Sequence, residues 1–244
     1  GMEAGFSQFI RRIPAVDPAV TPCTDASNAG NARYLRVGAT GANNGLNWTD
    51  AWTVLATAET NTTRGQTVCI ADGTYAGATL DTAVSGTQTI SLVKATGGDH
   101  GTETGWNATF GDGSATLGGF TLGSDYWILD GQTRNESVWD DGTAYGFRLG
   151  VGNGIAASTS FTPGVCASNI TIKYVEGGGA EGTTYTGSEP DNVIYIGGFD
   201  ELCTDWTIQR SPVQPERTLS AWHRCSSGAC ALRHTLTLMV YETN

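Results

Sequence analysis

Lysine is nearly missing from this chain: among 244 residues only Lys94 and Lys173 carry that side chain, and charged residues make up just 15%. Lys and Arg total 13 against 24 Asp and Glu, for a formal net charge of -11. So acidic a chain has no basic stripe to neutralise phosphates, which excludes nucleic acid as a partner, and it is repelled by anionic lipid. The same charge opposes a polyanionic polysaccharide unless calcium bridges the two sets of carboxylates. No apolar run approaches the roughly 18 residues of a membrane span. The opening Gly1-Met2-Glu3 lacks a signal peptide's basic flank and apolar centre, and Gly1 ahead of Met2 reads as a tag-cleavage scar. An export signal upstream of it is compatible with that start.

What the chain has in quantity is glycine, 34 residues, together with β-branched and turn residues in short alternating runs. This is an all-β composition. The six cysteines, Cys23, Cys69, Cys166, Cys203, Cys225 and Cys230, are an even number that allows three disulfides and suits an oxidising compartment, so a secreted or cell-surface location is expected. Cys225 and Cys230 with His223 and His234 are spaced unlike a zinc site.

Asn43 to Asp50 is a turn-rich run ending in helix-capping residues, and Ala51, Trp52, Leu55, Ala56 and Ala58 follow at helical spacing until Asn61-Thr62-Thr63. A helix from Ala51 is predicted. The strand Thr67 to Ala71 then closes on an Asp72-Gly73 turn. Inward apolar pairs in an i, i+2 relation recur at Val68/Ile70, Ile90/Leu92, Phe120/Leu122, Trp127/Leu129, Phe147/Leu149, Ile170/Ile172 and Trp206/Ile208. Several are spaced by about 20 to 23 residues, the mark of a repeat architecture. One such unit cannot bury its own apolar face, whereas stacked units form parallel ladders about 4.8 Å apart around one continuous core.

Tyr34 to Val37, the Asn43 to Trp48 turn, the helix from Ala51, the Val68-Cys69-Ile70 strand, Asp72 to Tyr75 and Trp127-Ile128-Leu129-Asp130-Gly131 together resemble the opening coils of the pectin-lyase-like family. The resemblance implies a right-handed single-stranded parallel β-helix whose short N-terminal α-helix caps the open end of the stack. The organisation expected is an N-terminal arm over residues 1–33, a β-helix domain over 34–210, and an atypical segment over 211–244. Stacking of coils then pairs Cys166 with Cys203 and lets Cys23, on the arm, reach the outward Cys69, leaving Cys225 with Cys230.

Beyond Arg210 the composition changes, since all but one of the 34 glycines precede residue 211. Leu232, Leu236, Leu238 and Val240 suggest a strand there. The segment reads as a cap, an interface or a truncated end, and if it leaves the last coil uncovered a homodimer is expected.

Enzymes of the resembling family act on the outer face of one sheet, where carboxylates hold calcium and an Arg or Lys removes a proton, or where clustered Asp residues hydrolyse. Such chemistry needs charged residues stacked on neighbouring coils. The outward central positions are Ile128, Arg148, Thr171 and Thr207, and one step later come Asp130, Gly150, Lys173 and Gln209. Arg148, Lys173 and Asp130 are therefore the catalytic candidates, with solvated surface groups as the competing reading. Asp140 and Asp141, beside Glu136, are candidate Ca2+ ligands, although Asp-Gly pairs are also ordinary turn chemistry. Trp106, Trp139 and Tyr185 lie in polar, Gly-rich loops and are candidate platforms for sugar rings, whereas Trp52, Trp127 and Trp206 fall at inward, core positions.

Two functions fit these features: a secreted protein that binds or processes polysaccharide, as a lyase or hydrolase, and a non-catalytic adhesin, fibre or cell-surface β-helix.

Overall fold

The computed structural model describes residues 21–133, 145–150, 155–156, 167–176, 192–199, 205–209, 218–224 and 236–239. After a short helix α1 (Cys23–Asn28) comes the strand β1 (Ala32–Leu35), and then a second helix α2 (Leu55–Asn61). From there the chain visits three sheets in rotation. The first round is β2 (Thr67–Ile70), β3 (Gly73–Tyr75) and β4 (Ala78–Leu80). The second is β5 (Ile90–Lys94), β6 (Ala115–Leu117) and β7 (Phe120–Leu122), and the third is β8 (Trp127–Asp130), β9 (Phe147–Leu149) and β10 (Ile155–Ala156). A fourth follows with β11 (Ile170–Lys173), β12 (Val175–Glu176) and β13 (Asn192–Phe199). The last strands are β14 (Trp206–Gln209), β15 (Thr218–Arg224) and β16 (Leu236–Met239).

Every pairing between these strands is parallel, and helices are few. The first sheet has the order β1-β2-β5-β8-β11-β14-β16, the second β3-β6-β9-β12 and the third β4-β7-β10-β13-β15. The protein is thus an all-β chain of parallel sheets. Pairing does not stop at Arg210: β15 continues the third sheet beside β13, and β16 continues the first beside β14.

The inward pairs explain why these short segments hold together. In the first sheet Ile90, Trp127, Ile170 and Trp206 stand in register, as do Val68, Leu92, Leu129, Ile172 and Ile208. All are buried in one apolar cluster with Tyr75, Leu117 and Leu149 of the second sheet and Leu80, Phe120 and Leu122 of the third. Trp52, Trp127 and Trp206 are core residues, as their inward positions imply. The pairs do not, however, mark one strand per round. Phe147/Leu149 belongs to the second sheet and Phe120/Leu122 to the third, so the spacing from Trp127 to Phe147 measures a step between sheets and not a full turn. Corners between sheets are tight, and a Cβ at Gly118 would collide with the backbone of Gly77 in the round before.

One local expectation fails for an identifiable reason. The helix begins at Leu55 and not at Ala51, because Trp52 is held in an extended edge position: its N–H donates to Tyr34 O at 2.9 Å and its carbonyl accepts from Arg36 N at 2.8 Å. Asp50 is not a helix cap. It closes the preceding loop by accepting from Ala42 N at 2.7 Å and Asn47 Nδ2 at 2.9 Å, bonds that hold its pKa below the usual value. The strand after the helix does close at Asp72-Gly73, a corner at which Gly73 opens the second sheet with φ of 141°, where a Cβ would meet Val37 Cγ1 at 2.5 Å.

Helix α2 lies against β1 and β4, the edges of the first and third sheets, and buries Leu55 and Ala58 in the core. The outer face of the first sheet carries a second apolar cluster, built from Cys23, Ala26, Tyr34, Trp48, Cys69 and Val93, with Trp106 and Phe110 packed on it. Cys23 and Cys69 form a disulfide with Cα atoms 5.8 Å apart, which fastens α1 over this face. Asp99 reinforces the attachment by accepting from Cys23 N at 3.0 Å and Thr24 N at 2.7 Å. Cys166, Cys203, Cys225 and Cys230 lie outside the described residues.

Candidate functional site

Parallel register places Asp130 directly beside Lys173, with Gln209 next in the row. Lys173 Nζ lies 3.5 Å from Asp130 Oδ2, and the two side chains are only 7% and 9% exposed. Asp130 Oδ1 accepts from Gln132 N at 2.8 Å, a bond across the bend that leaves β8. The expected approach of these two residues across rounds therefore exists, but as a buried ion pair. On the same outward row the earlier strands contribute Tyr34, Cys69 and Val93, all covered by the second apolar cluster.

Arg148 does not join them on that sheet. It belongs to β9 in the second sheet, in register with Thr116 and Glu176, and its Nε donates to Glu176 Oε2 at 2.8 Å. Arg148 is 35% exposed and Glu176 4%. Sequence alternation identifies an outward residue but not the sheet on which its strand lies, so Arg148 shares its parity with Ile128 and Thr171 without sharing their sheet.

Trp106 is half-buried and not an open platform. Its ring stacks on His100 at 4.2 Å with planes 7° apart, and it also touches Trp48 and Phe110. His100 Nε2 contacts Glu103 Oε1 at 2.8 Å. This aromatic group packs against the cover over the first sheet. Trp139, Tyr185, Asp140 and Asp141 lie outside the described residues. Among the described residues no cluster of three or more His, Cys, Asp and Glu is arranged to hold a metal ion.

Three polar arrangements escaped the sequence reading. Arg64 gathers five acceptors from two loops: Ala83 O at 3.2 Å, Asp125 O at 2.7 Å, Tyr126 O at 2.8 Å, Thr82 O at 2.5 Å and Ser124 Oγ at 2.8 Å. Its guanidinium also sits 5.1 Å from the Trp127 ring centroid. Burial lowers its pKa, opposed by the charges of Asp125 and Glu59. Tyr75 donates its hydroxyl to Ala71 O at 2.9 Å, and burial raises its pKa far above the ordinary tyrosine value. Lys94, 1% exposed, reaches Asp72 Oδ1 at 2.5 Å. The one signal available was the scarcity of lysine: both lysines end first-sheet strands immediately after an inward apolar residue or its neighbour, in Leu92-Val93-Lys94 and Ile172-Lys173.

No family model, curated protein or solved structure matches the chain.

Proposed function

We propose that the rotating three-sheet path is a right-handed parallel β-helix of the pectin-lyase-like kind, used here as a non-catalytic scaffold in an adhesin, fibre or other cell-surface structure. The observation that carries this reading is the state of the catalytic candidates. Lys173 is buried against Asp130, and Arg148 donates to Glu176 on another sheet. A base that must accept a proton from substrate needs substrate within hydrogen-bond reach, which a buried lysine 7% exposed does not offer. The disulfide under α1 supports an extracellular or cell-surface location, where such bonds persist.

A second reading, binding or processing of polysaccharide, draws support from the second and third sheets. There Thr74 stands beside Thr116, and Thr79 beside Thr121, with hydroxyl-bearing side chains on the outer surface of two adjoining faces. Assays for unsaturated elimination products and for new reducing ends, run over uronate and neutral glycans with and without Ca2+, separate the two. The scaffold reading expects no turnover in any arm. Turnover lost in Arg148→Ala or Lys173→Ala would overturn it, and glycan-dependent stabilisation without turnover would favour the binding reading. Light scattering on the same sample tests the homodimer, and an experimental structure tests the handedness.

A further inference from the structure

Asp72 and Lys94 meet at the corner where the first sheet hands the chain to the second. Lys94 ends β5 in register with Ile70, two residues before Asp72. Its Nζ lies 2.5 Å from Asp72 Oδ1, with the side chains 1% and 18% exposed. Oδ1 is buried and takes no conventional hydrogen bond, so the contact is one of charge and proximity. One ammonium hydrogen is instead directed to Ala95 O. The other carboxylate oxygen, Oδ2, accepts the Gly113 N–H at 2.6 Å.

The corner holds the parts an acyl transfer requires. A nitrogen nucleophile is held against a carboxyl group, a backbone N–H polarises the far oxygen, and water is largely excluded. Burial also lowers the pKa of Lys94, the ion pair with Asp72 opposing it, which favours the neutral amine.

We propose that Lys94 and Asp72 condense into an intramolecular isopeptide bond that staples adjacent rounds of the stack. The ammonium passes one proton to Oδ1, and the freed amine attacks Asp72 Cγ. Negative charge gathers on Oδ2, where the Gly113 N–H holds it. A second nitrogen proton moves to Oδ1, the Cγ–Oδ1 bond breaks, and water leaves. The C–N bond formed is an amide whose remaining N–H continues to donate to Ala95 O. The charges of one ammonium and one carboxylate cancel, and neither oxidant nor external donor is consumed. The inference is independent of the scaffold reading and survives if that reading fails.

Mass spectrometry of the intact, denatured and reduced full chain tests this. The expected mass is that of the sequence less one water, and proteolysis should release a branched peptide joining the segments around Asp72 and Lys94. Lys94→Arg is expected to restore the full mass. Because the wild-type chain alone decides the matter, misfolding of the variant leaves the test intact. A full-sequence mass, with Lys94 open to acylation in the denatured chain, would overturn the proposal. So would a deficit of one water located in an unbranched Asp72-Gly73 succinimide or at the Lys173–Asp130 pair.

Discussion

Removing the Cys23–Cys69 disulfide should weaken the N-terminal end of the stack more than any single contact there. The bridge closes a loop with a sequence separation of 46. Loop-closure entropy for that length gives about 4 kcal/mol at room temperature. Cys23→Ala with Cys69→Ala leaves two small apolar side chains in a cluster where both sulfurs are fully buried, so little polar cost is added. The cover does not depend on the bridge alone, because Asp99 still receives the Cys23 and Thr24 N–H groups. The double variant should therefore fold, with α1 held more weakly over Tyr34, Trp48 and Val93. In urea, an m-value of about 3 kcal/mol/M converts the loss into a midpoint lowered by roughly 1.3 M. Wild-type protein unfolded in a strong thiol reductant should lose at least as much. A loss below about 1 kcal/mol, or reduced wild type matching oxidised wild type, would refute the claim that this loop closure stabilises the described fold.

Two further outcomes are expected. Arg64→Ala leaves carbonyls from two loops without their shared donor and uncovers one face of Trp127; partial exposure discounts the five bonds to a net loss of about 2 to 3 kcal/mol, visible as a lowered melting temperature. Arg64→Lys should recover less than half of it, since an ammonium has too few donors for this fork. Tyr75 makes stability depend on alkaline pH: its folded pKa is raised, so its contribution is complete below the unfolded tyrosine pKa of about 10 and is lost as pH rises beyond it. Ultraviolet titration should therefore keep Tyr75 un-ionised until the chain unfolds, and Tyr75→Phe should remove that late component. Reversible ionisation of all eight tyrosines in folded wild type would contradict the burial argument.

Alternation and repetition made most of the core legible. A strand must send successive side chains to opposite faces, so Ile170-Thr171-Ile172 and Trp206-Thr207-Ile208 announce which residues go inward whatever lies around them. The outward Cys69 was accessible by the same logic, and its bond to Cys23 followed once the arm lay across that face. Asp130 and Lys173 could be brought together from sequence because each holds the same place after an inward pair.

What alternation does not carry is the sheet to which a strand belongs, because period two is identical in all three. Only the path of the corners separated Arg148 from Lys173, gave Arg148 to Glu176, and set Lys94 against Asp72. Helical spacing after Asp50 was similarly real but locally overruled, since two backbone hydrogen bonds, to Tyr34 of β1 and to Arg36 just beyond it, held Trp52 extended. The sequence by itself thus determined the class of the fold, its inward residues and its poverty in lysine. Tertiary structure alone decided which charges meet and how deeply they are buried, because those depend on contacts between rounds that no local pattern encodes.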